Sequence, residues 1–223
     1  MAGNQKKIAT KRKAPESARP TRNAEQTRAR ILEVARLEFA EKGYNGARVD
    51  EIVERCSVSK NLIYHYFTSK EALFIAVMEL TYRLMRERQS EWSFIDLPPQ
   101  EAIEKLVLLT FDHFLEDPTV ISLLNTENLH QAKHIKQSNA IQPLYNPLVD
   151  ALKRIIAKGE AQGVFRSNVD PVDLYITISG LSYFYISNKH TLSYLFEQDL
   201  MEPKRILQRK KHVVDVVLGY LCL

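Results

Sequence analysis

The chain has 223 residues, 45% of them hydrophobic and 26% charged, which suits a folded protein of one or two domains with a sizeable core. No apolar run approaches the ~18 residues of a membrane-spanning helix, and the charged start, Met1 to Lys13, lacks the apolar stretch of a secretory signal. Two cysteines, Cys56 and Cys222, are too few for a disulfide framework, so the composition predicts a reduced, cytoplasmic protein with no membrane partner.

The net charge of +4 hides an asymmetry: residues 1–30 hold nine Lys and Arg against Glu16 and Glu25, which leaves the remainder net negative. A basic, Pro-containing arm over 1–23 is expected to be disordered, and beside a DNA-binding element it would add phosphate or minor-groove contacts. A first helix is predicted from Ala24 to Lys42, with Ile31, Leu32, Ala35 and Phe39 along one side and Gly43 as a left-handed C-cap. Arg48 precedes a second helix whose first turn carries Asp50 and Glu51, where the helix dipole favours acids. Ile52, Val53 and Cys56 are its apolar face; Val58 closes a tight turn, and Ser59 is a good N-cap for a third helix. In that helix Ile63 and Phe67 point inward, four residues apart. Lys60, Asn61, Tyr64 and His65 share another face, which offers a cation, an amide, a phenol and an imidazole but no acid. Such a face suits the major groove: Asn pairs bidentately with adenine, Lys donates to guanine, and Tyr and His reach phosphates. A helix-turn-helix sets the first residues of its second helix against base edges, which places Lys60 and Asn61 there. Taken alone, this helix is equally compatible with an ordinary polar surface.

The residues that follow, Tyr64-His65-Tyr66-Phe67-Thr68-Ser69-Lys70-Glu71-Ala72-Leu73, narrow the choice. With Ile63 in a Leu position, Tyr64, Phe67, Ser69, Lys70, Glu71 and Leu73, and upstream Phe39-Ala40-Glu41-Lys42-Gly43-Tyr44 and Ile52, the stretch from about Ile31 to Leu80 resembles the TetR family of transcriptional regulators. Two departures stand out: Ser57 where the family usually has Gly in the turn, and Ala47 where a hydroxyl residue often caps the second helix. Thr68 or Ser69 caps a fourth helix, whose free N–H groups and Lys70 make an anion site. The resemblance implies that Lys70 lies against the DNA backbone. The DNA-binding set is therefore Arg48, Ser59, Lys60, Asn61, Tyr64, His65 and Lys70, within a helix-turn-helix domain over 24–69 and a ligand-binding and dimerisation domain over 70–223.

The pattern stays helical to the end, so an all-α fold of about nine helices is predicted. The fourth helix continues to about Glu91. Pro98-Pro99 start a fifth, with Ile103, Leu106, Val107, Thr110, Phe111 and Phe114 inward, and Asp117-Pro118 lead into a sixth over Thr119 to His130. Gln131 to Ala140 reads either as a helix extension or as a loop. A seventh helix starts near Gln142-Pro143, carries Leu148, Leu152, Ile155 and Ile156 on its core side, and ends at Gln162 before Gly163. Asp170-Pro171 is a strong helix start, and this Gly-x-Phe-Arg…Asp-Pro passage also looks like the loop ahead of the family's eighth helix. That helix, Pro171 to Asn188, is apolar nearly all round, with Gly180 permitting close backbone approach. A last helix over Pro203 to Leu221 sets Ile206, Val213, Val217 and Tyr220 at near-heptad spacing. Helices over 171–188 and 203–221 are expected to pair with their symmetry mates in a homodimer that matches a palindromic double-stranded DNA operator.

The resemblance further implies a small-molecule effector site among the fourth to eighth helices, whose occupation alters the spacing of the recognition helices; a shift of the fourth helix is the expected lever. Trp92, Phe111, Asn125, Asn128, His130, Tyr175 and Tyr183 are its candidate lining, with Glu127 expected to face water. Surface and pocket readings are equally open for Asn125, Asn128 and His130. The leading function is a dimeric, ligand-responsive repressor, with a ligand-independent or architectural DNA-binding protein as the alternative. An enzyme is not expected: no Gly-rich phosphate loop exists among seven glycines, and His130/His134 lacks the intervening Glu of a zinc-protease helix. No metal or cofactor is predicted.

Overall fold

The computed structural model describes residues 22–89 and 96–223. Trp92 and nearly all of the basic arm lie outside the described residues, while Arg22 and Asn23 belong to the first helix. Ten α-helices and two short 3-10 turns occur among the described residues, one helix more than the pattern predicts.

Helix α1 (Arg22–Gly46) buries Ile31, Leu32, Ala35 and Phe39, its predicted stripe. Gly43 does break the helix, with φ 67° and ψ 176°. The chain leaves it extended rather than in the left-handed cap conformation, and one further turn follows. Two short helices, α2 (Val49–Cys56) and α3 (Lys60–Phe67), stand beside it, and α4 (Lys70–Gln89) runs on into the second half of the molecule. Leu73, Phe74, Val77 and Met78 of α4 are fully buried, because this helix packs on α1 and α3 at one end and on α5 at the other.

Helix α5 (Pro99–Glu116) is the central post, with Ile103, Leu106, Val107, Thr110, Phe111 and Phe114 all inward as predicted. It is flanked by α7 (Asn146–Ala161), α8 (Pro171–Ser187) and α10 (Pro203–Leu221). Asp170 caps α8 through the N–H groups of Val172 and Asp173, at 2.8 and 2.9 Å. After α7 the ring of Phe165 folds back over Gly159, filling the space where a Cβ would stand and leaving glycine no substitute. The unpredicted element is α9 (Lys189–Leu195), a seven-residue helix with no buried residue and hence no apolar stripe to announce it.

Helix α6 (Pro118–Leu129) joins the halves by packing on α1. At one end Arg36 of α1 donates to Asp117 Oδ2 at 2.9 Å and also to Thr119, while Asp117 Oδ1 caps α6 from Thr119 N–H at 3.2 Å. At the other end the expectation for Glu127 fails. Its carboxylate is buried and accepts from His134 N (2.8 Å), His134 Nδ1 (2.7 Å) and Ile135 N (3.0 Å). A carboxylate given three donors withstands burial that an isolated one would not. Those donors hold residues 131–145 as turns and two 3-10 segments, Ile135–Gln137 and Gln142–Tyr145, rather than as an extension of α6.

Candidate nucleic-acid interface and effector cavity

The turn between α2 and α3 is built from local chemistry. Ser57 takes φ 52° and ψ 45°, the left-handed conformation glycine adopts without penalty, and its N–H closes on Glu54 O at 3.0 Å. Val58 N–H follows to Val53 O at 3.3 Å, and Ser59 Oγ then accepts from Leu62 N–H at 3.2 Å to start α3. Ile63 and Phe67 anchor α3 in the core, and burying them turns Lys60, Asn61, Tyr64 and His65 to the surface, where all four are exposed.

The hub beneath this surface is Glu38, a fully buried acid of α1. Its Oε1 accepts the Arg48 N–H at 3.3 Å and pairs with Lys42 at 3.1 Å, and its Oε2 pairs with Arg55 at 3.3 Å. It therefore anchors the backbone just ahead of α2, whose N-cap residue Arg48 has no side-chain cap; Ala47 before it is buried. Lys42 also reaches Glu51, which holds that carboxyl below the usual carboxylate range. Glu38 was legible only as an acid in phase with the apolar stripe, at i+7 from Ile31. Arg48 extends from the N-cap position of α2.

Two basic residues of the DNA set have partners within the chain. Lys60 Nζ meets Asp50 Oδ1 at 2.7 Å, and that hydrogen bond raises the lysine pKa and lowers that of the aspartate. Lys70, at the start of α4 where Ser69 Oγ caps Ala72 N–H at 3.0 Å, leans back over the Tyr44 ring (5.1 Å) toward Asn45 O (3.4 Å). Partial burial there lowers its pKa.

The predicted effector residues do not converge. Phe111 is fully buried beside Tyr185, with ring centroids 6.1 Å apart, and belongs to the core around α5. Asn128 is exposed and returns its amide to Leu124 O at 2.9 Å. Asn125 accepts from Tyr183 OH, and Tyr183 stacks edge-on against Phe114. His130 Nδ1 lies 2.8 Å from Thr126 O, with its ring against Tyr44.

Of the six that lie among the described residues, Tyr175 alone belongs to a buried polar cluster next to a cavity. The cavity, of about 600 Å³, opens between α4 and the 131–145 passage, lined by Tyr82, Ile135, Ile141 and Tyr145 with Lys136 and Gln142. Behind Tyr145 the buried Arg86 guanidinium lies 4.5 Å from the Tyr145 ring centre and donates to Tyr175 OH at 3.1 Å. Burial pushes the Tyr82 phenol up to about 12 and raises Tyr145 as well, so both are neutral donors at ordinary pH. The passage that walls this cavity also carries His134, whose ring packs 4.5 Å from that of Tyr44 and 4.8 Å from that of Phe74, beneath the helix-turn-helix. Arg86 was findable as a cation four residues after Tyr82 on the inner face of α4. Residues 131–145 gave no periodic signal.

A helix-turn-helix braced by a long first helix and joined to a helical domain that holds a cavity defines a DNA-binding regulator. Comparison with known proteins agrees. Residues 31–77 match the family model for bacterial regulatory proteins of the tetR family, and residues 99–217 match a tetracyclin repressor-like C-terminal domain. The chain is 35% identical over 195 residues to the HTH-type transcriptional repressor NicS of Pseudomonas putida, covering 87% of this chain and 92% of that one. The crystal structure of SCO4942 from Streptomyces coelicolor, described as a transcriptional regulator, superposes with a TM-score of 0.67 at 26% identity, over 87% of this chain and 98% of that one. A structure described as the molecular basis for control of antibiotic production by a bacterial hormone superposes at 0.58 and 25% identity, over 89% and 98%. The chain belongs to the TetR family, and it is a DNA-binding transcriptional repressor. Among the described residues no helix is long and apolar enough to cross a membrane.

Proposed function

We propose that two copies of the chain grip a palindromic operator, each laying α3 in the major groove, and release it when a small molecule occupies the cavity lined by Tyr82 and Tyr145. The observation that carries this reading is the outer face of α3. Asn61, Tyr64 and His65 are exposed together, while the helix is fixed from below by Ile63 and Phe67 and from its start by Ser59. Asn61 reads a base edge, and Lys60 exchanges Asp50 for the duplex. Arg48, Ser59, Tyr64, His65 and Lys70 contact phosphates and set the register.

Support for the dimer comes from apolar surface left uncovered on α8 and α10. Ile176, Phe184 and Leu207 are 60%, 58% and 67% exposed, and Tyr220 is 48% exposed. Among the described residues no atom outside the helix lies within 4 Å of where a Cβ would stand on Gly180 or Gly219, so the close approach those glycines permit is left to a second copy. The route for release runs from the cavity through the 131–145 passage to His134, Tyr44 and Phe74, and along α4 to Lys70. A ligand moves this system only by binding one arrangement better than the other.

The test is fluorescence anisotropy on the preferred duplex and on a scrambled one across a range of salt. The expected result is a preference of roughly a thousandfold or more, with a log–log salt slope that falls by about one in Lys70→Ala. Equal affinity for both duplexes overturns the reading.

A further inference from the structure

A second cavity, of about 390 Å³, lies between α8 and α10, lined by Tyr185, Arg205, Gln208, Arg209 and His212. The four residues of α10 stand at i, i+3, i+4 and i+7, which is one face of a helix, so two guanidiniums share a wall. Two other cations of the same helix are neutralised: Lys210 pairs with Asp112, and Lys211 pairs with Asp215 at 2.9 Å. Arg205 and Arg209 are not. Among the described residues no carboxylate oxygen lies within 4.0 Å of either guanidinium.

The contacts they do make are weak or neutral. Arg209 donates to Leu181 O at 2.9 Å and lies over the Tyr185 ring at 5.2 Å, while Arg205 reaches Gln208 Oε1 at 3.4 Å. Both Nε atoms are buried with no hydrogen-bond acceptor among the described residues. Asp199 is the acid whose charge is felt at the Tyr185 phenol, but it is exposed and its Oδ1 accepts the Met201 N–H at 2.9 Å. A buried donor without an acceptor is costly, and a guanidinium fork fits carboxylate and phosphate oxygens in pairs. The cavity volume is within the range of small-molecule sites.

We propose that this cavity is an anion site that takes a small molecule bearing a carboxylate or phosphate group. Arg205 and Arg209 hold the oxyanion, Gln208 and His212 add hydrogen bonds, and the Tyr185 ring forms the apolar wall. The site is separate from the cavity at Tyr82 and Tyr145 and does not depend on it.

The test is calorimetric titration of the full-length protein with inorganic phosphate and with succinate, each against sodium chloride at matched ionic strength. The expected result is saturable binding of at least one probe at one site per chain, weakened roughly tenfold or more in Arg205→Gln/Arg209→Gln. Saturation by phosphate or by succinate says which oxyanion the site prefers. Arg205→Gln alone, which leaves the Arg209 contacts to Leu181 O and the Tyr185 ring in place, serves if the double variant fails to fold by circular dichroism. The proposal is overturned if neither probe saturates beyond the chloride control, or if folded variants bind as the parent does. It is equally overturned if the parent binds neither probe while the variant sediments as a lighter species, since an acid of a second copy then fills the cavity.

Discussion

The amide of Asn61 offers a donor and an acceptor side by side on an exposed helix turn, the pattern that matches adenine in the major groove. Asn61→Ala is expected to cost ~1–3 kcal/mol of discrimination at one base position while sparing non-specific affinity. Competition titrations against single-base variants of the duplex measure this, and an equal loss on random DNA contradicts a reader role. Four residues earlier, Ser57 holds a positive φ that glycine adopts without strain. Ser57→Gly is expected to raise stability by ~0.5–1 kcal/mol, read from urea unfolding, and a lower midpoint contradicts it. Both residues were legible because helix caps and turn chemistry are local. Glu38 was not: its partners Lys42, Arg48 and Arg55 are brought to it by the packing of α2 on α1, so an acid inside an apolar stripe acquired meaning only in three dimensions.

Helices carrying a continuous apolar period were readable to within a few residues, α5 and α10 being examples, because burial on one side imposes spacing on the sequence. The 131–145 passage was not readable, since its course is set by the Glu127 carboxylate rather than by a repeating apolar contact. Glu127→Gln keeps the shape but sets an N–H₂ group against N–H donors, and should destabilise by roughly 2–4 kcal/mol. Denaturant unfolding tests this, and an unchanged midpoint contradicts the structural role. The cavity proposed for the effector takes in little of the expected lining: Tyr175 lies behind its wall, Phe111 is drawn into the core and Asn128 faces solvent. Aromatic residues on an inner helix face look alike in sequence whether they pack or line a void. A pH dependence belongs to this element too. Tyr82 and Tyr145 have pKa values raised above the unfolded value, so folding favours their protonated form. That stability is fully present below the unfolded tyrosine pKa of ~10 and is lost as pH rises from there toward about 12. The alkaline limb of a Tm-against-pH curve should therefore flatten in Tyr82→Phe, and an identical limb contradicts the assignment.

For the molecule as a whole, the uncovered apolar face of α8 and α10 and the reading face of α3 make one account only if two chains act together. Phe184→Glu sets a charge in the proposed seam and should shift sedimentation toward the single chain without unfolding it, whereas an unchanged dimer places the seam elsewhere. The most direct measurement is selection of bound duplexes from a random DNA pool by the full-length protein. The account predicts enrichment of an inverted repeat, its half-sites separated by about one helical turn or a multiple of it. Recovery of no shared sequence, or of a lone half-site without its inverted copy, would contradict it.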